Sequence, residues 1–180
     1  FYIVKDLADD TRHLGRETVK SFGVRSRFVH FEFFRLLSDH EGLGKKGDLM
    51  ALEVNMRPSG GFTPDMINFA RETDVYKIWA DMVAYDSTQK PVGTHHFCAF
   101  AGLRDGKDFA LTPDDIIEKY DDHLKMVERM PDALADAMGN QMYLATFDTE
   151  EELHTFFADV TRQKEPDVSV ASETAETLES

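Results

Sequence analysis

Two apolar runs, rich in aromatic residues and separated by a polar stretch, constrain the fold of this chain more than any other feature. Residues 27–37 (RFVHFEFFRLL) and 49–56 (LMALEVNM) show the period of two that is typical of a β-strand. Residues 38–48 (SDHEGLGKKGD) lie between them and are polar and rich in glycine. The pattern predicts an antiparallel β-hairpin with a long loop.

The remaining sequence predicts an α+β fold, with an antiparallel sheet and flanking helices followed by a small strand–helix–strand–helix extension. The start of the chain, Phe1 to Val4, has the pattern of a strand. Further strands are predicted over residues 95–103 and 141–147. Helices are predicted over residues 14–22, from an N-cap at Thr63, behind Asp74, from Thr112 to about Met130, over 131–138, and after a capping box of Thr149 and Glu152.

Composition excludes several classes of protein. The chain has 180 residues and a net charge of −14, so it lacks the surplus of Lys and Arg with which proteins hold DNA or RNA. No apolar run approaches the roughly 20 residues of a membrane span. The single cysteine, Cys98, excludes a disulfide framework and fits a cytoplasmic protein. The charge is uneven, because residues 1–60 have 10 basic and 9 acidic residues while residues 61–180 have 10 and 25.

The second predicted strand has a polar face. Glu53, Asn55 and Arg57 are two residues apart, so they point to the same side. Glu32 lies within the aromatic run of the first strand, and pairing of the hairpin can bring it beside Glu53. Two carboxylates and an amide oxygen form the kind of all-oxygen site that Mg²⁺ prefers. We therefore interpret Glu32, Glu53 and Asn55 as candidate metal ligands.

Anion-binding groups follow this face directly. Arg57 is a fixed cation suited to a phosphate or carboxylate oxygen. Ser59, Gly60 and Gly61 form a turn whose backbone amides can approach an anion, and a predicted helix begins after it. A metal, an arginine and an anion-binding turn together indicate phosphoryl transfer.

The residues also allow structural interpretations, which stay open at this point. Glu53 and Arg57 are compatible with an ordinary exposed salt bridge, and Glu32 with a pair to Arg35 or to a lysine. Gly60-Gly61 alone is a turn signal.

The same segment resembles a known family. Phe31-Glu32-Phe33-Phe34, followed by Leu52-Glu53-Val54-Asn55-Met56-Arg57-Pro58-Ser59-Gly60-Gly61, is similar to the metal-binding end of the ATP-grasp superfamily. A glutamate strand there precedes a strand that ends Glu-x-Asn-x-Arg, in the style of biotin carboxylase, carbamoyl-phosphate synthetase and the carboxylate–amine ligases. The resemblance covers residues 11–72, with a longer gap between the two glutamates than in compact members.

The resemblance implies specific roles. Glu32 and Glu53 would bind Mg²⁺ (or Mn²⁺) bridging the ATP phosphates, and Asn55 would complete the metal or phosphate shell. Arg57 would stabilise an acyl phosphate, and Ser59, Gly60 and Gly61 would contact phosphate. The implied activity is that of a carbon–nitrogen-forming ligase acting on a small carboxylate and an amine.

A glycine-rich flap, a phosphate-binding lysine and an adenine hinge are not identifiable, so the resemblance implies that an N-terminal portion of the ATP-grasp domain is missing. Under this interpretation residues 1–86 are the C-terminal portion of that domain, 87–164 an extension and 165–180 a disordered acidic tail. The fragment alone would be inactive, and homodimerisation is left open. The alternative is a non-catalytic interaction or regulatory module.

Four further residues give weaker indications of function or none. His30 shares a strand face with Glu32 and fits either a residue supporting the metal ligands or a packed histidine. Cys98, Trp79 and Met82 are predicted to be core residues.

Overall fold

The computed structural model describes residues 1–88 and 93–164. Its fold is α+β, as predicted, with one four-stranded and one two-stranded antiparallel sheet. The elements in chain order are β1 (Tyr2–Ile3), α1 (Asp9–Ser21), β2 (His30–Arg35), β3 (Leu49–Asn55), α2 (Thr63–Arg71), α3 (Val75–Tyr85), β4 (Phe97–Leu103), α4 (Pro113–Tyr120), β5 (Leu124–Arg129), α5 (Asp132–Met138), β6 (Gln141–Phe147) and α6 (Glu150–Thr161). No helix within these two ranges has the length and apolar character needed to cross a membrane.

The larger sheet has the strand order β1-β4-β6-β5 and lies between two layers of helices. Alternation along β4 sends Ala99 and Ala101 to one face and Cys98 and Phe100 to the other. Helices α4 and α6 cover the first face, and α2 covers the second. This three-layer arrangement contains the buried apolar core.

The smaller sheet is the predicted hairpin of β2 and β3. His30 pairs with Asn55, Phe31 with Val54 and Glu32 with Glu53. The next pair is Phe33 with Ala51, so Leu52 is an extra residue on β3 and forms a β-bulge. The bulge divides the hairpin, and the polar pairs lie on the side nearer to the end of β3.

Helix α1 is tied to this hairpin by an ion pair. The Arg35 guanidinium donates to both carboxylate oxygens of Asp10, at 2.7 and 3.0 Å, and to the Gly47 carbonyl at 2.9 Å. On the same side of the hairpin the rings of Phe31 and Phe33 meet edge to face. Residues 1–65 contribute none of the fully buried apolar residues, so this part of the described chain has no dry core of its own.

Several local predictions are confirmed. The strand over 141–147 matches β6, and the capping box of Thr149 and Glu152 begins α6. Asp74 caps α3 by accepting from the amide of Lys77. The predicted tail, 165–180, lies outside the described residues.

Two local predictions are wrong. The helix predicted from Thr112 to Met130 ends at Tyr120, and residues 124–129 form β5, because they pair with β6 at the edge of the sheet. Thr63 is the first residue of α2 and not its N-cap. The N-cap is Phe62, whose carbonyl accepts from the Met66 amide at 2.9 Å, and the Thr63 amide donates to the Gly60 carbonyl at 3.4 Å.

Candidate functional site

Four polar side chains gather on one face of the hairpin. His30 and Glu32 on β2 lie opposite Asn55 and Glu53 on β3. Because paired residues of an antiparallel ladder share a face, and residues two apart on one strand do as well, all four point to the same side. We call these four residues the hairpin cluster. The structure therefore brings together Glu32, Glu53 and Asn55, which the sequence predicted as neighbours.

The two carboxylates of the cluster differ in their surroundings. Glu32 lies beside His30, with 3.6 Å between its Oε1 and the histidine Nε2. Glu53 is exposed, and no described residue forms an ion pair or hydrogen bond with its carboxylate. Two acidic groups directly opposite each other on neighbouring strands repel, which is unfavourable for the hairpin alone. A cation between them would remove that repulsion.

Neither nearby arginine neutralises these acids. Arg35 is held by Asp10, and Arg57 donates to its own neighbour, the Pro58 carbonyl, at 2.9 Å. The salt bridges that the sequence left open, Glu32 with Arg35 and Glu53 with Arg57, are absent from the described residues. The carboxylates of the cluster thus remain available to a ligand.

The cluster also contains polar atoms that lack partners. The Asn55 side-chain Nδ2 and the His30 Nδ1 are buried, and neither forms a hydrogen bond in the part of the chain that the structure describes. A buried polar atom without a partner is costly, and such atoms are often completed by a ligand or water. The free amide N–H of Asn55 fits an acceptor such as a phosphate oxygen.

Arg57 lies just beyond the end of β3 and lines a cavity of about 310 Å³. Phe28 and Met82 also line it, together with Trp79, whose exposed fraction is 51%. The prediction of Trp79 as a core residue is therefore wrong, because α3 carries apolar residues on two sides and only one side faces the core.

The turn of Ser59, Gly60 and Gly61 leads directly into α2. Gly61 has a φ of 59°, in the left-handed region that favours glycine. No side chain caps the N-terminus of α2, so its first amides are free of an internal partner. Backbone of this kind can accept an anion.

The donor set is small for a metal site made by the protein alone. Among residues 1–88 and 93–164, no group of three or more His, Cys, Asp and Glu side chains is placed to hold a metal ion. Mg²⁺ commonly binds one or two carboxylates, with water and substrate phosphates completing the shell. Glu32 and Glu53 face each other without a Lys or Arg partner among the described residues, and they fit that type of site.

In comparisons with known proteins, no protein-family model and no curated protein sequence matches the chain.

Proposed function

We propose that this chain is the metal- and phosphate-binding part of an ATP-grasp ligase. The observation that supports this most directly is the pairing of Glu32 with Glu53 on one face, with no arginine compensating either charge. The proposed reaction is the activation of a carboxylate by ATP: a carboxylate oxygen attacks the γ-phosphorus, ADP leaves, and an acyl phosphate forms. An amine then attacks the acyl carbon, phosphate leaves, and a carbon–nitrogen bond is made.

Each residue has a proposed part in this reaction. Glu32 and Glu53 bind the metal, and Asn55 donates its free N–H to a phosphate oxygen. Arg57 lies at the cavity wall, where its positive charge stabilises the acyl phosphate. The amides after Ser59, at Gly60 and Gly61, bind phosphate. Mg²⁺, when bound, neutralises the phosphate charge that develops during transfer.

The surface of the first 85 residues fits a part of a larger domain. Among the described residues, eleven of the thirteen exposed large apolar side chains lie there, and they include Trp79 and Phe34. Exposed apolar patches commonly mark contacts with another part of a protein. We propose that the remainder of the ATP-grasp domain packs on this surface.

Metal binding tests the proposal without knowledge of the substrate. We expect the protein to lower the concentration of free Mn²⁺ below the level left by ATP alone, measured by electron paramagnetic resonance of the free ion against a matched Mn²⁺–ATP solution without protein. Glu53→Gln and Glu32→Gln should abolish this binding, because each removes one of two charged ligands. His30→Ala should weaken it about 10- to 100-fold, as loss of a residue supporting a ligand does.

Glu41→Gln is the matched control, because Glu41 is an exposed acid in the hairpin loop and lies outside the cluster. It should leave Mn²⁺ binding unchanged. Equal binding in Glu53→Gln and the parent protein, with circular dichroism showing both folded, would reject the metal assignment and favour the non-catalytic module. In the intact protein, Glu53→Ala should likewise abolish Mg-ATP-dependent turnover.

A further inference from the structure

A second cavity lies far along the chain from the hairpin cluster, on the larger sheet. It has a volume of about 440 Å³ and is bounded by the end of β4, the start of β6, the loop over 104–112 and the first turn of α4. We call it the α4 pocket. Its volume falls within the range of small-molecule sites, which is roughly 300–1,000 Å³.

The lining of this pocket includes a buried tyrosine whose hydroxyl lacks a partner. Tyr143 is fully buried, and its Oη forms no hydrogen bond within the described residues. Burial raises the pKa of Tyr143, so the hydroxyl keeps its proton and remains a donor. The other buried tyrosine, Tyr120, donates to Asp159 Oδ2 at 2.5 Å. The fold therefore satisfies one buried phenol and leaves the second, at the pocket, without an acceptor.

Basic residues concentrate at the pocket. Of the ten Lys and Arg residues in the acidic stretch 61–180, four line it, against two acidic residues. Arg129 is paired with Asp105 at 2.6 Å, and Arg104 donates to the Asp136 carbonyl. Lys107 and Lys164 form no ion pair within 4.0 Å in the part of the chain that the structure describes, although Lys164 lies close enough to Asp115 to help lower the pKa of that carboxyl. Asp105 is paired with Arg129 and Asp108 has no ion pair within the described residues, so the unpaired charges of the lining are two lysines and one carboxylate.

Most of the remaining wall is apolar, and Thr112 and Gln141 add two polar side chains. Leu103 and Ile116 are buried there, and Phe109 and Leu111 are partly buried. An inorganic anion alone would leave this apolar wall uncovered. The wall, the free phenol and the free lysines together describe a ligand with an apolar body, a hydrogen-bond acceptor and a negative charge.

We propose that the α4 pocket binds a small amphipathic organic carboxylate, whose apolar body packs on Leu103 and Ile116 and whose carboxylate meets Lys107 and Lys164. An oxygen of the ligand accepts from the Tyr143 hydroxyl. This site shares no residue with the hairpin cluster, so ligand binding at the α4 pocket can be tested independently of metal binding at the cluster.

The probe for this proposal is a hydroxynaphthoate, which combines an aromatic body, a carboxylate and an acceptor hydroxyl. We expect it to bind the full chain saturably, with amide shifts in ¹H–¹⁵N spectra confined to the residues around the pocket. The matching neutral naphthol should bind at least about tenfold more weakly, because it lacks the charge. Neither ATP nor Mg²⁺ is present, so failure here is separate from failure at the hairpin cluster.

Variants identify the contacts. Tyr143→Phe should weaken binding about three- to tenfold, as expected for one lost hydrogen bond. It should leave thermal unfolding of the unliganded protein unchanged or shift it upward, because the hydroxyl has no partner to lose. The double change Lys107→Gln and Lys164→Gln should remove the preference for the carboxylate over the naphthol.

Lys125→Gln is the control, since Lys125 lies on β5 and does not line the pocket. It should bind like the parent chain. The proposal is overturned if no saturable shifts occur at the pocket, or if Tyr143→Phe and the double lysine variant both bind like the parent.

Discussion

The side chains of Asn68 and Asn55 differ in whether the protein satisfies their hydrogen-bonding groups. Asn68 in α2 accepts the Val75 amide through its Oδ1 at 2.8 Å and so supports the start of α3. Asn55 in β3 has a buried Nδ2 without any such partner among the described residues. The first asparagine supports the fold, whereas the second has a buried side-chain donor that no described residue satisfies.

This contrast predicts different costs of substitution. Asn55→Ala should change the free energy of unfolding by no more than about 0.5 kcal/mol, because no intramolecular hydrogen bond from its Nδ2 is lost. Asn68→Ala should cost about 1 kcal/mol. Urea unfolding followed by circular dichroism measures both. A larger loss for Asn55→Ala than for Asn68→Ala would show that Asn55 is a structural residue.

Cys98 was predicted to be a core residue, and the structure confirms this. It is fully buried, and burial raises the pKa of its thiol to about 12. The thiolate, which is the reactive form, is therefore scarce at neutral pH. Cys98 belongs to the core.

Among the elements, α1 is tied to the hairpin by the Arg35–Asp10 ion pair, and Arg35 also donates to the Thr11 hydroxyl at 3.2 Å. The hydrogen bonds from Arg35, with smaller contributions from the Thr11 amide and hydroxyl, lower the pKa of Asp10 from 3.8 to about 2. A lowered carboxyl pKa means that the ion pair stabilises the fold above about pH 4 and loses this effect as the pH falls toward 2. The attachment of α1 is therefore sensitive to acid.

Arg35→Gln should raise the pKa of Asp10 toward its ordinary value, measured from side-chain ¹³C shifts over a pH titration, while the hydrogen bonds from Thr11 to Asp10 remain. The stability difference between this variant and the parent should vanish below about pH 2. Arg129→Gln is the control, because Arg129 pairs with Asp105 and lowers the pKa of that carboxyl instead. An Asp10 that titrates identically in Arg35→Gln and in the parent would contradict the ion pair.

The sequence predicted those elements whose determinants are local. The capping box of Thr149 and Glu152 and the largely apolar run of residues 141–147 are each contained within a few residues. The strand β5 was mistaken for a helix because its state depends on pairing with β6, which follows it by more than ten residues. Long-range pairing overrides local preference in such segments.

In the candidate site, too, some features could be predicted from the local sequence pattern and others could not. Alternation with period two suffices to place Glu53 and Asn55 on one face, and the hairpin pairing then adds Glu32. The orientation of the Arg57 side chain could not be predicted from the sequence, because β3 ends at Asn55 and the regular alternation of side chains ends there. The exposure of Trp79 likewise depends on which elements pack on α3.

At the scale of the whole molecule, the buried core and the candidate metal site occupy different regions. All the fully buried apolar residues in the described ranges lie between Met66 and Val160, around the larger sheet. The hairpin of β2 and β3 is held by its own ladder and by α1. Regions with few buried contacts open at lower free energy than the core of a domain.

Native-state hydrogen exchange should reveal this difference. Amides of the β2–β3 ladder, such as those of Phe31 and Val54, should exchange much faster than those of Ala101 and Leu144 in the central strands of the larger sheet. A metal that binds the hairpin cluster should slow exchange in the hairpin and leave the larger sheet unaffected. Equal protection of the two sheets in the absence of metal would show that the chain unfolds as one unit.

The bulge at Leu52 has a consequence for how sequences of this type tolerate changes in length. Because Leu52 has no partner on β2, removal of this one residue would leave Glu32 opposite Glu53 and Phe33 opposite Ala51. Removal of Val54 would instead reverse the orientation of Asn55 and break up the cluster. Position 52 is therefore the place in β3 where a one-residue gap in an alignment is compatible with an intact site.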